Sequence, residues 1–466
     1  MWKWANAVIK SAARRTSAPL FQARRRLLML IPIGPLIAIP SIAAAGRSTY
    51  ADQLAGGTSG ETGNDPTSGD PRAPAYLKTT SDIANGLPVS LLRFLPAMQH
   101  GAIRERKSTY DCTKGWQTAI QAAKNLRVNA GLYIINATAT PQLDQNVEGE
   151  GYASEITTAL DIEHLSNADV ANATNGIGAF TIRNLKLSNT FPVTAGKGAT
   201  HFHLRLANAC NALVDRVWCK SAFGDTDLHV DNHGGIWFDL IGAYPTGFMN
   251  MISRSWMDHC HVRIDSSDSE INGSYIWGHT TDYGIQANQG NIRVINNPGI
   301  IGSRSHGGVW LTRNAQQAAI QGNFFDGSGD AVNSGYGVFS DSEYPNKIDG
   351  NFFWRQYLSG VWLNNGQFNT VQGNTFIDCG RKDGGVDDSD IVINGVTLQP
   401  NGNNLANNVH RRSGARAHPV YAVYERSAGT NPTENNISGA TVTASANQYA
   451  TPAYHLAKGS TTSSRQ

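Results

Sequence analysis

This chain of 466 residues is poor in cysteine, in charge and in long apolar runs. Its five cysteines are scattered and form no CxxC pair, which excludes a tight disulfide framework and zinc-ribbon spacing. Only 16% of the residues are charged, and no long apolar segment follows the first 45 residues. Neither a Ser-His-Asp order nor a phosphate-binding loop is evident. The sequence therefore carries none of the motifs by which common hydrolases, nucleotide-binding enzymes or zinc proteins are identified.

Positive charge is concentrated at the N-terminus. Residues 1–45 contain no acid and seven basic residues, which are Lys3, Lys10, Arg14, Arg15, Arg24, Arg25 and Arg26. Removing these seven charges from the formal total of +2 leaves −5 for the rest of the chain. A mildly acidic body argues against a nucleic acid as the partner, because binding to phosphate backbones requires clustered Lys and Arg.

The first 45 residues have the order of an export signal. The stretch "FQARRRLLMLIPIGPLIAIPSIAAAG" joins a basic block to an apolar run from Leu27 to Ala45, which ends in three small residues. The consecutive arginines also suit a twin-arginine route. The alternative is an uncleaved inner-membrane anchor at 27–45 with a periplasmic body. Either interpretation predicts a body in the periplasm or outside the cell, with membrane contact only through residues 27–45.

Short phrases recur from about residue 178 onward. One phrase, apolar-x-Gly-Asn-x-apolar, occurs as "IQGNFF" from Ile320, "IDGNFF" from Ile348 and "VQGNTF" from Val371. A second phrase, Gly-apolar-x-apolar, advances in steps of 24, 29 and 23 residues through Gly284, Gly308, Gly337 and Gly360. A period in the twenties with strand-like runs and Gly/Asn turns is typical of a solenoid.

The repeat pattern predicts an all-β fold, a single right-handed parallel β-helix whose coils stack about 4.8 Å apart. Leucine-rich repeats share the period, but their leucine lattice is absent here. Asn323, Asn351 and Asn374 occupy one position on successive coils. Because asparagine both donates and accepts hydrogen bonds and tolerates turn conformations, this column predicts an internal amide ladder.

The predicted organisation has five parts. A helix is predicted in the third part, over "TYDCTKGWQTAIQAAKN", because its apolar residues share one face. The parts are a signal peptide or anchor (1–45), a flexible polar linker (46–74), an N-terminal segment with the capping helix and first coils (75–177), the β-helix coils (178–410), and a C-terminal cap with a disordered tail (411–466).

The segment "GLPVSLLRFLPAMQHGAIRERKSTYDCTKGWQTAIQAA" (86–123), with a linker before it and coils after it, resembles the N-terminal part of phage tailspike-like proteins in the pectate-lyase-like superfamily. The resemblance implies a parallel β-helix over residues 75 to about 410, with the helix of this segment capping its N-terminal end, and it allows a homotrimer. The usual Pro-x-Gly-x-Tyr after the helix is missing, and "LYIINATAT" stands in its place. An export signal on such a body is similar to proteins of amylovoran-type exopolysaccharide clusters, which implies processing of newly made repeat units.

Alternation along the second phrase predicts which side chains point out of the coils. The inward positions are Ile236, Val262, Ile285, Val309, Val338 and Val361, followed two residues later by Phe238, Ile264, Ala287, Leu311, Ser340 and Leu363. The outward positions are Trp237, Arg263, Gln286, Trp310, Phe339 and Trp362, followed by Asp239, Asp265, Asn288, Thr312, Asp341 and Asn364.

An aromatic column beside a column of acids and amides is what a glycan-binding face needs, because flat rings cover sugar C–H faces and Asp/Asn bind hydroxyls. The alternatives are that the strands are inverted or that the tryptophans pack under a loop. Arg304 in "SRSH" can pair with a uronic or pyruvyl carboxylate. The predicted substrate-binding residues are Trp237, Arg263, Arg304, His306, Trp310, Phe339, Asp341 and Trp362.

Cleavage of a glycosidic bond needs two carboxyl groups, and neighbouring coils bring equivalent residues close together. Asp239 and Asp265 are predicted to be such neighbours, and Asp258 and Asp268 are further catalytic candidates. The phrase "SWMDHC" resembles the Trp-Ile-Asp-His of pectate lyases, which implies Ca²⁺ as an alternative cofactor. The Arg-x-Pro-x-x-Arg phrase of that family is absent, so no cofactor is the primary expectation.

The sequence thus favours an exported carbohydrate-active β-helix. The expected partner is an acidic polysaccharide or an oligosaccharide repeat unit, and the expected chemistry is glycosidic cleavage or repeat-unit transfer. Two alternatives remain open, a non-catalytic glycan-binding scaffold and a phage-derived tailspike-like depolymerase or adhesin.

Overall fold

The computed structural model covers the body of the chain. It describes residues 80–169, 177–192, 199–222, 233–242, 246–277, 282–301, 306–327, 335–381, 389–413, 420–426, 434–444, Tyr449, 453–457 and 460–463. The predicted signal or anchor, the predicted linker and Arg304 lie outside the described residues.

Short helices precede most of the coils. A helical segment at 80–84 is followed by two 3-10 helices, Leu91–Phe94 and Ala97–Gln99, and then by α1, His100–Arg104, and α2, Thr113–Ala122. Trp116 of α2 is fully buried and its indole Nε1 donates to the carbonyl oxygen of His164 at 3.1 Å. The predicted capping helix is therefore present and shares its core with the first coils. None of the helices in the described ranges has the length and apolarity needed to span a bilayer.

The coils have three faces, and every strand pair between coils is parallel. Face one consists of Val89–Ser90, Asn125–Val128, Asn146–Gly149, Met251–Ser253, Glu270–Asn272, Arg293–Ile295, Ala319–Gln321, Lys347–Asp349, Thr370–Gln372, Asn404–Ala406, Asn436–Ser438 and Thr461–Ser463. Face two consists of Gly131–Ile134, Ser154–Thr158, Trp256–Asp258, Tyr275–Trp277, Gly299–Ile301, Phe324–Asp326, Phe352–Trp354, Thr375–Ile377, Val409–Arg412 and Thr441–Ala444. The strands Thr181–Asn189 and Leu213–Lys220 bend through both of these faces.

Face three is a separate sheet and includes every Gly-apolar phrase. Its strands are Leu165–Ser166, Phe202–Ala207, Gly234–Asp239, Val262–Ile264, Tyr283–Ala287, Gly307–Leu311, Val338–Ser340, Val361–Asn364, Ile391–Asn394, Val423–Arg426 and Tyr454–His455. The predicted all-β parallel solenoid is confirmed.

The Gly-Asn phrase forms the turn between faces one and two. Gly322, Gly350 and Gly373 adopt φ values of +65°, +65° and +62°, a conformation that glycine adopts without strain. The asparagine that follows each glycine is buried, and the predicted ladder is confirmed. Asn323 Nδ2 donates to Asn351 Oδ1 at 2.9 Å, and Asn351 Nδ2 donates to Asn374 Oδ1 at 3.0 Å. The ladder thus provides hydrogen-bond partners for side-chain amides that are buried away from water.

A second amide ladder, which the sequence pattern did not predict, precedes face one. It runs through Asn346, Asn369, Asn403 and Asn435, and the backbone N–H of each of the first three donates to Oδ1 of the next member. The side-chain amides of Asn369 and Asn403 also donate to the next member, whereas Asn346 Nδ2 donates to Ser342 Oγ at 3.0 Å. Of the four, only Asn403 follows a glycine, so the members share no phrase that repeats.

The coils continue beyond the predicted boundary at residue 410. Val423–Arg426, Asn436–Ser438 and Thr461–Ser463 each pair in parallel with the coil before them. The predicted end was too early because the repeat phrase changes there. Asn407, with φ of +54°, takes the turn position that glycine occupies in earlier coils.

Buried histidines form part of the core next to face three. The ring centroids of His164 and His203 are 4.8 Å apart, and those of His203 and His233 are 4.6 Å apart. Burial, with a smaller contribution from neighbouring imidazoles, lowers the pKa of His164 to about 3 and that of His233 to about 4. Burial also lowers the pKa of His203 well below its usual value and that of His261 to about 3. These four rings are therefore neutral in the folded protein.

We expect acid to destabilise the fold through these rings. An unfolded histidine binds a proton below about pH 6.5, whereas the folded pKa values lie near 3 to 4, so the unfolded state binds more protons in this window. The free energy of unfolding should fall by up to about 1.4 kcal/mol per pH unit for each ring as the pH drops below 6.5. Urea titrations between pH 7.5 and 4.5 measure this slope.

The His203→Phe variant should reduce the slope of the unfolding free energy against pH by the contribution of one proton, because one titrating ring is removed. Phenylalanine suits this position, since the ring lies among other rings and its Nε2 has no hydrogen-bond partner among the described residues. The His100→Gln variant is the control, since His100 is half-buried and lies outside the cluster. Equal slopes in the wild type and His203→Phe would contradict the assignment.

Candidate functional site

The strand register of face three agrees with the one predicted from the repeat phrase. Val309 pairs with Val338, Trp310 with Phe339, and Leu311 with Ser340, and the same register extends from Ile236 to Leu363. All the predicted inward residues are buried. The outward residues form a middle column that continues through Arg205 before Trp237 and through Val392 after Trp362.

Trp237 points outward but does not present a free ring face. The guanidinium carbon of Arg205, one coil before it, lies 4.2 Å from the centre of the indole ring, and that of Arg263, one coil after it, lies 4.4 Å from it. Such cation–π stacking occupies both faces of the ring. The predicted role of Trp237 as a stacking platform for a sugar is therefore wrong, because arginines occupy the positions that a sugar needs.

Asp239 and Asp265 lie on adjacent coils, as predicted, but each is bound by arginine. Asp239 accepts hydrogen bonds from Arg205 Nε at 2.9 Å and Nη2 at 2.8 Å. Asp265 accepts from Arg263 Nε at 3.1 Å and from Trp237 Nε1 at 2.8 Å. Both residues are buried. This arrangement joins three coils through paired charges and leaves little of either carboxylate open to a substrate.

Two further predicted aromatics, Phe339 and Trp362, are covered by neighbouring rings. Trp362 is only 8% exposed and packs with Tyr336 and Val392. Phe339 contacts Tyr336 at a centroid distance of 4.9 Å. Trp362 thus points outward and is nevertheless buried under a loop residue, which was the alternative that the sequence left open. The prediction that its ring face is available to a ligand is wrong.

Trp310 and His306 lie at the centre of face three and contact each other. Their rings stack at 4.0 Å with an interplanar angle of 16°. His306 Nδ1 lies 2.8 Å from Asp282 Oδ2, and Tyr283 is 5.8 Å from the Trp310 ring. The hydrogen bond to Asp282 fixes the orientation of the imidazole and directs its other nitrogen away from this carboxylate.

A groove of about 470 Å³ opens beside Trp310, where face three meets the turns that follow it. Residues from four consecutive coils line it, and these are Trp310, Thr312, Arg313, Asp341, Glu343, Asn365 and Thr397. Six of the seven lining residues have polar side chains, which bring hydroxyl, amide, guanidinium and carboxylate groups beside one indole. A groove of this composition suits a ligand rich in hydroxyl groups.

Asp341 is the predicted acid that the groove exposes. It accepts hydrogen bonds from Trp310 Nε1 at 3.0 Å and from Asn364 Nδ2 at 3.0 Å. On the same wall, Arg313 Nη2 pairs with Glu343 Oε1 at 2.9 Å. Sequence analysis did not identify Arg313, Glu343 or Thr397, because they lie in turns that the repeat phrases do not include.

The structure does not bring Asp258 and Asp268 to face three. Asp258 lies on face two, where Trp218 Nε1 donates to it at 3.3 Å. Burial acts to raise the pKa of Asp258, but the bond from His259 and nearby Lys220 outweigh it, and the pKa is lowered. Asp268 lies in a turn with φ of +51° and bonds to Asn291. Neither carboxylate lines the groove.

Ca²⁺ as the alternative cofactor stays a prediction. No group of three or more His, Cys, Asp or Glu residues in the described ranges is arranged to hold a metal ion.

Comparisons with known proteins agree on the architecture. A family model described as a right-handed beta helix region matches residues 260–438, and no curated protein matches the chain. A tailspike protein of E. coli bacteriophage HK620, solved in complex with a hexasaccharide, gives a TM-score of 0.56 at 12% identity and covers 79% of this chain and 68% of its own.

Two other structures of similar architecture come from bacterial proteins. The A-module of mannuronan C-5 epimerase AlgE4 from Azotobacter vinelandii gives a TM-score of 0.51 at 14% identity, covering 76% of this chain and 96% of its own. PfbA, a surface adhesin of Streptococcus pneumoniae, gives a TM-score of 0.52 at 11% identity and covers 76% of this chain and 91% of its own. At these identities the likeness establishes the fold, a right-handed parallel β-helix.

We expect the arginine pairs on face three to be structural. Arg205→Met should lower the free energy of unfolding by about 3 kcal/mol, because Asp239 then stays buried without a cation. The double variant Arg205→Met/Asp239→Asn should recover most of this loss. The control is Arg293→Met on face one, where Arg293 is 51% exposed and its pair with Glu270 should contribute less than about 1 kcal/mol. An equal loss in both single variants, measured in urea, would contradict this.

Proposed function

We propose that this protein binds an extended polysaccharide along face three, with the groove beside Trp310 as the principal contact. The observation that carries the proposal is the lining of the groove, in which one indole and six polar side chains from four consecutive coils converge. Coils spaced by about 4.8 Å give such a site a length of roughly 14 Å, which suits a chain ligand better than a compact small molecule.

The proteins of similar fold support a glycan as the partner. They include a tailspike protein solved in complex with a hexasaccharide and an epimerase of mannuronan. At 12% and 14% identity this likeness does not transfer any residue role, so the proposal depends on the groove of this chain.

The proposed setting is outside the cytoplasm, in the assembly or processing of an exopolysaccharide. The basic and apolar order of residues 1–45 supports export, and the combination of such a signal with a tailspike-like body supports a link to exopolysaccharide clusters. Expression of the full chain with fractionation of cytoplasm, periplasm and medium tests the location.

A second candidate function is cleavage or transfer of a glycosidic bond at the same groove. The observation in its favour is His306, which is held by Asp282 at 2.8 Å and stacks on Trp310. An imidazole fixed in this way can accept a proton at Nε2, while Asp282 stabilises the charge that develops on the ring. Asp239 and Asp265 are less suitable as the catalytic pair, since arginines engage them.

We expect Trp310→Ala to weaken polysaccharide binding by at least about tenfold, because truncating a central aromatic contact removes both packing and the Nε1 donor to Asp341. The control is Trp354→Ala, since Trp354 is a half-buried outward tryptophan on face two. Affinity electrophoresis with polysaccharide from the producing cells measures the effect, and circular dichroism checks folding. Equal binding by the two variants would contradict the proposed site.

Catalysis predicts a different pattern for His306. His306→Gln keeps the polar contact and removes the basic nitrogen, so binding should persist while any shortening or extension of the polysaccharide falls by about a hundredfold or more. Chain length is followed by size-exclusion chromatography. If wild-type protein leaves the chain length unchanged, the second candidate function is wrong and binding alone remains.

A further inference from the structure

We infer that the groove beside Trp310 selects a sugar bearing neutral or cationic hydrogen-bond donors, such as a hexose or an amino sugar, and disfavours a uronate at this position. The inference rests on the proposed function of the groove and names the class of sugar that it takes. It departs from the acidic polysaccharide that the sequence led us to expect.

The charge of Asp341 decides the selectivity. Its oxygens accept hydrogen bonds from Trp310 Nε1 and Asn364 Nδ2, which are both uncharged donors. Asn364 is in turn bonded to Asn394 Nδ2 at 3.0 Å, so the chain of donors remains neutral. No ion pair to Asp341 is found among the described residues. Its carboxylate therefore faces the groove with its negative charge largely uncompensated.

The other carboxylates of face three differ in this respect. Arg205 pairs with Asp239, and Arg263 pairs with Asp265. The guanidinium in the groove, Arg313, is 77% exposed and pairs with Glu343 at 2.9 Å. With that pair neutralised, the net charge of the groove lining is that of Asp341, which is −1.

A carboxylate in such a groove attracts donors and repels anions. Hydroxyl groups can donate to the free lone pairs of Asp341, because each carboxylate oxygen accepts more than one hydrogen bond. An ammonium group gains a charge-assisted bond there. A uronate brings a second negative charge into a partly desolvated site, where repulsion is stronger than in water. Asn365 and Thr397 add neutral polar contacts on the opposite wall.

The test compares three size-matched probes, which are hexamers of glucosamine, glucose and galacturonic acid, bound to the full chain at low and moderate salt. The expected order of affinity is glucosamine, then glucose, then galacturonic acid. Asp341→Asn should lower glucosamine affinity and raise galacturonic acid affinity, each by at least about fivefold, because the amide keeps the shape and removes the charge. Isothermal titration calorimetry measures the affinity of each hexamer for the wild-type protein and for the variant.

The control variant is Asp349→Asn on face one, which pairs with Lys347 outside the groove and should leave all three affinities unchanged. Tighter binding of the galacturonic acid hexamer than of the other two by wild-type protein overturns the selectivity but keeps the binding groove. No binding of any hexamer, together with no binding of polysaccharide from the producing cells, overturns the proposed function itself. An Asp341→Asn effect that is equal for all probes also overturns the role assigned to its charge.

Discussion

Parallel pairing between coils is the constraint on which the rest of this structure depends. It sets a spacing of about 4.8 Å and places each side chain directly against its counterparts one coil before and one coil after. Inside the solenoid this favours identical neighbours. Phe325, Phe353 and Phe376 stack at 4.7 and 4.9 Å, and asparagines form ladders in which each amide bonds to the next. On the outer surface, the same spacing brings rings and charges of adjacent coils into contact with one another, which leaves less of each side chain exposed to a ligand.

The outward charges of face three show how this constraint is met. Pairing puts Asp239 beside Asp265, and two carboxylates at such spacing repel each other. Arg205 and Arg263 neutralise them and also cover the Trp237 ring. Residues that resemble a catalytic pair in the sequence thus form a network that joins three coils. A column of acids on a β-helix is by itself weak evidence of catalysis. At the spacing of the coils, neighbouring carboxylates need cations to neutralise them, and the resulting ion pairs can be purely structural.

The sequence predicted well the fold and whether each side chain points into or out of the coils. It predicted poorly which outward side chains are exposed to a ligand. Strand alternation decides whether Trp362 points in or out, and repeat phrases supply the register. Whether its ring is exposed depends on Tyr336, which comes from the preceding turn and has no repeat phrase. Trp310 and Asp341 were identified because they lie in or next to strands, whereas Arg313, Glu343 and Thr397 were not, because turns vary in length from coil to coil.

Turn length also explains why the groove lies where it does. Asn365, with φ of +54°, accepts hydrogen bonds from the backbone N–H groups of Val396, Thr397 and Leu398 at 2.8, 2.9 and 3.1 Å. One side chain therefore holds the long turn after Ile391–Asn394 against the preceding coil and raises a wall beside Trp310. The strands keep a fixed spacing and supply a flat surface, so the depth of the site depends on the turns. The outward residues Trp310 and Asp341 supply the stacking ring and the charge, and the turns place polar groups around them.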